Sequence, residues 1–181
     1  TAKQYSLLAS KIFDAHVYTE KLFAVDTCVQ AITRLPAKDV RPFINYLAEA
    51  NKDRTADLLL SLLHRLPAGV LAEAIAFILA SGMEKQCASV IGDMLASRAA
   101  GVAVVYWVAR NLEKAKAMGI CRPYELAVQI VAVMEARMSG DDLKAQNMLR
   151  TLVEEKGALD VLLPDMSTTE RRDVLIRINQ G

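Results

Sequence analysis

Three cysteines and two histidines are the residues of this chain best suited to nucleophilic or metal chemistry. Cys28, Cys87 and Cys121 lie far apart, as do His16 and His64. Zinc takes three or four Cys or His ligands at short spacing, and this spacing supplies no such set. A Cys–His nucleophilic pair needs only contact in space, but nothing in the sequence marks one. Each cysteine sits in or beside an apolar helical run. That placement predicts reduced, buried thiols and a reducing, cytoplasmic compartment. Two carboxylate pairs, Asp141-Asp142 and Glu154-Glu155, have the residue type for acid–base work. Neighbours on a helix point in different directions, so each pair reads as a solvated face. Glycine clusters able to cradle a phosphate do not occur. These residues imply no catalytic group, no metal and no cofactor, and the chain is expected not to be an enzyme. An enzyme of unrecognised type is one alternative.

Basic residues offer a second kind of chemistry. Lys and Arg total 22 against 21 acidic residues, a net charge of +1. A nucleic-acid binder usually gathers a basic excess on one face. The nearest approach is the segment Arg110, Lys114, Lys116, Arg122, which supports a nucleic-acid-associated helical domain as the other alternative. His64, Arg34 and Arg65 have a simpler reading, since cations at the C-terminal end of a helix complement its dipole.

The elements that carry these residues follow from a repeated phrase. Ile32-Thr33-Arg34-Leu35-Pro36-Ala37 returns 31 residues later as Leu63-His64-Arg65-Leu66-Pro67-Ala68. The apolar set Val40, Phe43, Ile44, Leu47 and Ala48 returns with the same offset as Leu71, Ala74, Ile75, Ile78 and Leu79. Each unit is a helix, a proline turn and a second helix, the sequence mark of a helical solenoid. A third phrase is missing at Ser97-Arg98-Ala99, although Val102, Val105, Tyr106 and Ala109 keep the register. The composition agrees. Hydrophobic residues make up 53%, rich in the helix formers Ala and Leu, with 8 Gly and 5 Pro.

The first ~18 residues read as one amphipathic helix carrying Tyr5, Leu8, Ile12 and Ala15. A second follows a break near Thr19, carries Leu22, Val25, Val29 and Ile32, and ends at Pro36. A third starts near Lys38 or Asp39, with Pro42 in its first turn, where a missing N–H is harmless, and ends near Asn51. A fourth, capped by Asp53 or Asn51, runs to Pro67. A fifth covers Ala68 to Ser81, with Gly82 as a left-handed stop, and a sixth carries Cys87, Val90, Ile91, Met94 and Leu95. Gly101 to Val108 is rich in β-branched and aromatic residues and resembles a buried strand. The repeat register passes through it, so it reads as helix, ending at Gly119. Pro123 opens the next helix, which ends at Ser139-Gly140. Asp141-Asp142 opens another, which ends at Gly157. Ala158 to Leu163 is a short turn or helix. Ser167-Thr168-Thr169-Glu170 is a capping box that opens the last helix.

This pattern resembles the broad class of α-solenoids, the HEAT, armadillo and tetratricopeptide-like repeats, over roughly residues 20–120. The resemblance implies an all-α fold of about ten helices in antiparallel pairs, stacked as a short right-handed solenoid in one domain, 1–181. It also implies binding of a protein or peptide along a concave surface. No run is long enough to span a bilayer, which takes about 20 apolar residues, and no secretory signal is present. The absence of an initiator Met is consistent with a fragment of a larger protein. Within the register, Trp107 falls where earlier units have Ala76 and Asn45, and Val108 falls at Phe77 and Tyr46. Either a later helix buries Trp107, or Tyr46, Phe77 and Trp107 form an exposed strip suited to a partner. The candidate partner-binding residues are therefore Tyr46, Phe77, Trp107, Arg110 and Lys114.

Overall fold

The computed structural model describes residues 30–180, apart from 33, 36, 51 and 121. The two helices expected before Gln30, together with His16, Cys28, Cys121, Pro36 and the Asn51 cap, lie outside the described residues. Everything described is helix, turn or loop, with no strand. The chain divides into two compact units, residues 1–87 and 88–181.

In the first unit, α1 (Ala37–Ala50), α2 (Lys52–Leu62) and α3 (Ala68–Ala80) pack pairwise against one another. Their core is Phe43, Leu47, Leu58, Leu59, Leu62, Leu63, Leu71, Ile75 and Ile78, all nearly free of solvent contact. The corner between α2 and α3 follows from Pro67. Proline disfavours helical geometry in the residue before it, and Leu66 is extended at φ −82°, ψ 135°. The chain reaches that point by tightening into a 3-10 turn, Leu63–Arg65. Pro67 then caps α3, its carbonyl accepting from the Val70 and Leu71 amides at 2.9 Å. The parallel start of α1 at Ala37 is earlier than expected and puts Pro42 inside the helix rather than in its first turn. Alanine directly after a proline is as good a helix start at 37 as at 68, and Pro42 costs α1 one backbone hydrogen bond.

Residues 71–80 follow residues 40–49 in burial as well as in apolar pattern. Val40, Phe43, Ile44 and Leu47 are buried, and so are Leu71, Ala74, Ile75 and Ile78. Asn45 and Ala76 are exposed, while Tyr46 and Phe77 are half-buried. The unit junction falls within α4 (Glu84–Ala96), where Cys87, Ile91 and Leu95 are buried four residues apart.

In the second unit the packing no longer follows sequence order. The elements are α5 (Val102–Arg110), α6 (Leu112–Ala117), α7 (Pro123–Glu135), α8 (Gly140–Lys156), a 3-10 turn (Leu163–Asp165) and α9 (Thr168–Gln180). α8 packs chiefly on α5, and α9 on α7. The strand-like stretch is helix, but it does not run on to Gly119. It breaks at Asn111, whose side-chain Nδ2 donates to the Trp107 carbonyl at 2.8 Å. Asparagine competes for local backbone groups in this way and interrupts helices. The helix opened by Pro123 also stops earlier than expected, at Glu135 rather than Ser139. Gly82, Gly119 and Gly157 hold positive φ at the ends where they are expected. Ser167 and Glu170 form the capping box: Ser167 N donates to Glu170 Oε2 at 2.8 Å, and Glu170 N to Ser167 Oγ at 3.4 Å.

Leu66 is 3% exposed, whereas Leu35 is half-buried. The two Leu-Pro leucines therefore differ in weight. Leu66→Ala should cost about 2–5 kcal/mol, as for other buried leucines, and Leu35→Ala clearly less. Denaturant unfolding checks both, and equal losses would contradict the difference in burial.

Candidate functional site

The candidate partner residues separate into three kinds. Tyr46 on α1 and Phe77 on α3 stand 31 residues apart, and both are half-buried. Trp107 is 7% exposed and Val108 has no exposure. Trp107 therefore does not belong to an exposed strip, and the expectation that a later helix covers this face is the one that fits. The cause lies in α5. Val102, Ala103, Val104, Val105, Trp107, Val108 and Ala109 are all buried, so the helix is enclosed nearly all round. α7 and α8 both pack on it. Arg110 and Lys114, the third kind, are exposed.

The basic segment is largely engaged within the second unit. Lys116 Nζ lies 2.7 Å from Asp165 Oδ2, and Arg122 Nη1 lies 3.8 Å from Glu125 Oε1. Arg110 Nη1 donates to Tyr106 Oη at 3.1 Å, with its guanidinium carbon 6.0 Å from the Tyr106 ring centre. A counterion already in place must be displaced before a phosphate binds, which weakens this segment as a nucleic-acid footprint.

Two buried amides carry structure that the reading of the sequence missed. Gln146 Nε2 donates to the Val133 carbonyl at 2.6 Å and to the Ala136 carbonyl at 2.7 Å. Those carbonyls belong to the open C-terminal end of α7, which has no helical donors of its own. Gln129 Nε2 donates to the Leu95 carbonyl at 2.5 Å, near the end of α4. Its Oε1 is buried without a partner. The signal was present in Ala127-Val128-Gln129-Ile130-Val131, an apolar run with one amide in it.

One polar chain links α7 to α9. Tyr124 Oη donates to Asp173 Oδ2 at 2.9 Å, and Arg177 Nε donates to the same oxygen at 2.7 Å. Arg177, helped by the phenol, holds the Asp173 carboxyl below its ordinary range. The hydrogen bond to that carboxylate, with some desolvation, pushes the Tyr124 phenol up. Arg98, one residue of the loop after α4 and left-handed at φ 56°, adds positive potential to both. The phenol stays protonated and the carboxylate ionised, so the three groups serve one another as a structural tie. Among the described residues, no group of three or more His, Cys, Asp or Glu side chains is placed to hold a metal ion. No described helix is long and apolar enough to cross a membrane.

Family models, curated proteins and solved structures were compared with this chain, and none matches it.

Trp107 gives a direct reading of the α5 enclosure. Its emission should be blue-shifted and resist iodide quenching, and Trp107→Ala should cost about 3–5 kcal/mol, as for other buried large aromatics. A red-shifted, readily quenched signal with an unchanged midpoint would contradict the buried placement.

Proposed function

We propose that this chain is a non-catalytic helical-repeat domain for protein–protein interaction, a scaffold of α-solenoid type acting in a reducing, cytoplasmic compartment. The observation that carries this reading is the match between residues 40–49 and 71–80, where sequence register and burial repeat together with an offset of 31. Repeat units of this kind stack on their neighbours and leave the same face open on each. That face offers a periodic surface, on which affinity is built from several equivalent contacts rather than from one deep site.

The partner is another protein or a peptide. Tyr46 and Phe77 are the anchors this reading favours. They stand at one repeat position, on two helices that pack together, and each is half-exposed. Aromatic side chains of this kind supply large contact area at low entropic cost and dominate interface hot spots. Trp107 is not part of this surface, because α5 is enclosed. Arg110 and Lys114 are exposed on the second unit and stand apart from this reading.

The experiment is an affinity capture with the full chain as bait, run beside a Tyr46→Ser, Phe77→Ser double variant. The reading expects a protein partner retained by the parent and lost by the variant, at least tenfold in Kd, with both baits equally folded by circular dichroism. Retention that is identical on both baits, or no specific protein on either, would overturn it.

A further inference from the structure

The last helix, α9, is held on the second unit by little apolar burial. Among its described residues Val174 alone is buried, at 0% exposure. Leu175, Ile176 and Ile178 are 43%, 44% and 41% exposed. Beside its last turn the packing is incomplete. A cavity of about 280 Å³ opens there, lined by Val131 and Met134 of α7, Val153 of α8, Leu159 and Ile178. Side chains that face a void lose the close contacts that hold packed helices together. The neighbouring α7, by contrast, has seven buried residues between Leu126 and Val133.

Polar contacts take up the hold, and they converge on Asp173. The Tyr124 hydroxyl donates to Asp173 Oδ2 at 2.9 Å, crossing from the first turn of α7, and Arg177 Nε donates to the same oxygen at 2.7 Å. Arg98 also acts on this carboxylate, and it stands where it does at a backbone cost. α4 ends in a Schellman turn, with the Ala99 amide on the Met94 carbonyl at 2.9 Å and the Arg98 amide on the Leu95 carbonyl at 3.2 Å. Such a turn needs one left-handed residue, usually glycine. α3, α6 and α8 end on Gly82, Gly119 and Gly157, whereas α4 ends on Arg98 at φ 56°. A side chain there meets a steric penalty that glycine escapes. What arginine adds is a cation whose field reaches Tyr124 and Asp173.

The segment before α9 is anchored. Leu162 and Met166 are buried, Lys116 Nζ holds Asp165 Oδ2 at 2.7 Å, and Arg171 Nε ties the first turn of α9 back to the Leu163 carbonyl at 3.1 Å. We propose that α9 is a strap that swings open about its first turn while α5, α7 and α8 stay folded, and that Asp173 is the catch that keeps it shut. Opening parts Asp173 from Tyr124 and Arg98, lifts Val174 off the unit and uncovers the side of α7 that lines the cavity. The strap is independent of the Tyr46 and Phe77 surface, and each can fail without the other.

The test is native-state amide hydrogen exchange by NMR on the full chain. An undocked helix of 13 residues is marginal in water, so opening exposes its amides. Val174 to Ile178 should exchange about tenfold or more faster than Ile130 and Val131, and with a shallower denaturant dependence, as for a local opening. Tyr124→Phe keeps the ring and removes the hydroxyl. It should speed the α9 amides about fivefold or more, the scale of one lost hydrogen bond to a charged group. Arg98→Gly removes the cation and relaxes the turn. It should speed the same amides about two- to fivefold, the scale of an exposed charge pair. Lys116→Ala breaks a contact that the open strap retains, so it should leave these amides at the parent rate. One shared rate and denaturant slope for α7 and α9 would overturn the proposal. So would unchanged α9 exchange in Tyr124→Phe or Arg98→Gly, or an acceleration in Lys116→Ala as large as that in Tyr124→Phe.

Discussion

An α-helix that is apolar on every side has no stable place on a surface. It must be enclosed by neighbours, and α5 imposes that requirement on the second unit. Helices α1 and α3 in the first unit each bury one face and leave Asn45 and Ala76 in solvent. The third helix in the same register puts Trp107 at that position and adds Ala103 and Val104 on the side where α1 has Arg41 and Pro42. One neighbouring helix covers one face only. α7 and α8 therefore both come onto α5, and the second unit packs across sequence order as a result.

Crowding helices in this way creates a second demand. Each helix end leaves carbonyl and amide groups without helical partners, and burial makes them costly. In the first unit the corner between α2 and α3 is managed by backbone geometry, with the 3-10 turn at Leu63–Arg65 and the Pro67 cap, and Ser81 Oγ donates to the Phe77 carbonyl at the end of α3 at 2.9 Å. In the second unit side chains also reach helix ends across the packing. Gln146 closes the end of α7, Arg150 reaches the Met134 carbonyl, and Ser167 with Glu170 closes the start of α9. α7 is the hub: α5, α8 and α9 all pack on it. Its buried Gln129 reaches the Leu95 carbonyl, its first turn holds Tyr124 for Asp173, and its last turn borders the apolar cavity.

How far the sequence could be read follows from which rule each residue obeys. Helix stops at Gly82, Gly119 and Gly157, the Pro123 start and the Ser167 box are local chemistry, and each stands where its own residues put it. The helical state of Val102–Arg110 was legible only from the 31-residue register, since local β propensity argued the other way. Burial of α1 and α3 was legible for the same reason. The enclosure of Trp107 was one of two open readings, because periodicity marks an apolar face but not which later helix will cover it. The Asn111 break and the roles of Gln129 and Gln146 depend on backbone groups of the same turn or of other helices, which no sequence window displays. For the candidate site, sequence reasoning found the shared position of Tyr46 and Phe77. It had no means of finding the cavity, whose lining comes from three helices and a turn spread over residues 131–178.

The account therefore rests on a contrast between open faces on α1 and α3 and a closed one on α5. Native-state amide hydrogen exchange, read residue by residue along α5, tests it most directly, because exchange reports which segments open only with their whole cooperative unit. The account predicts uniformly slow exchange from Val105 to Ala109, with Trp107 as protected as Val105 and Val108. Faster exchange at Trp107 than at Val105 and Val108, in the one-sided pattern of an exposed helix face, would contradict it.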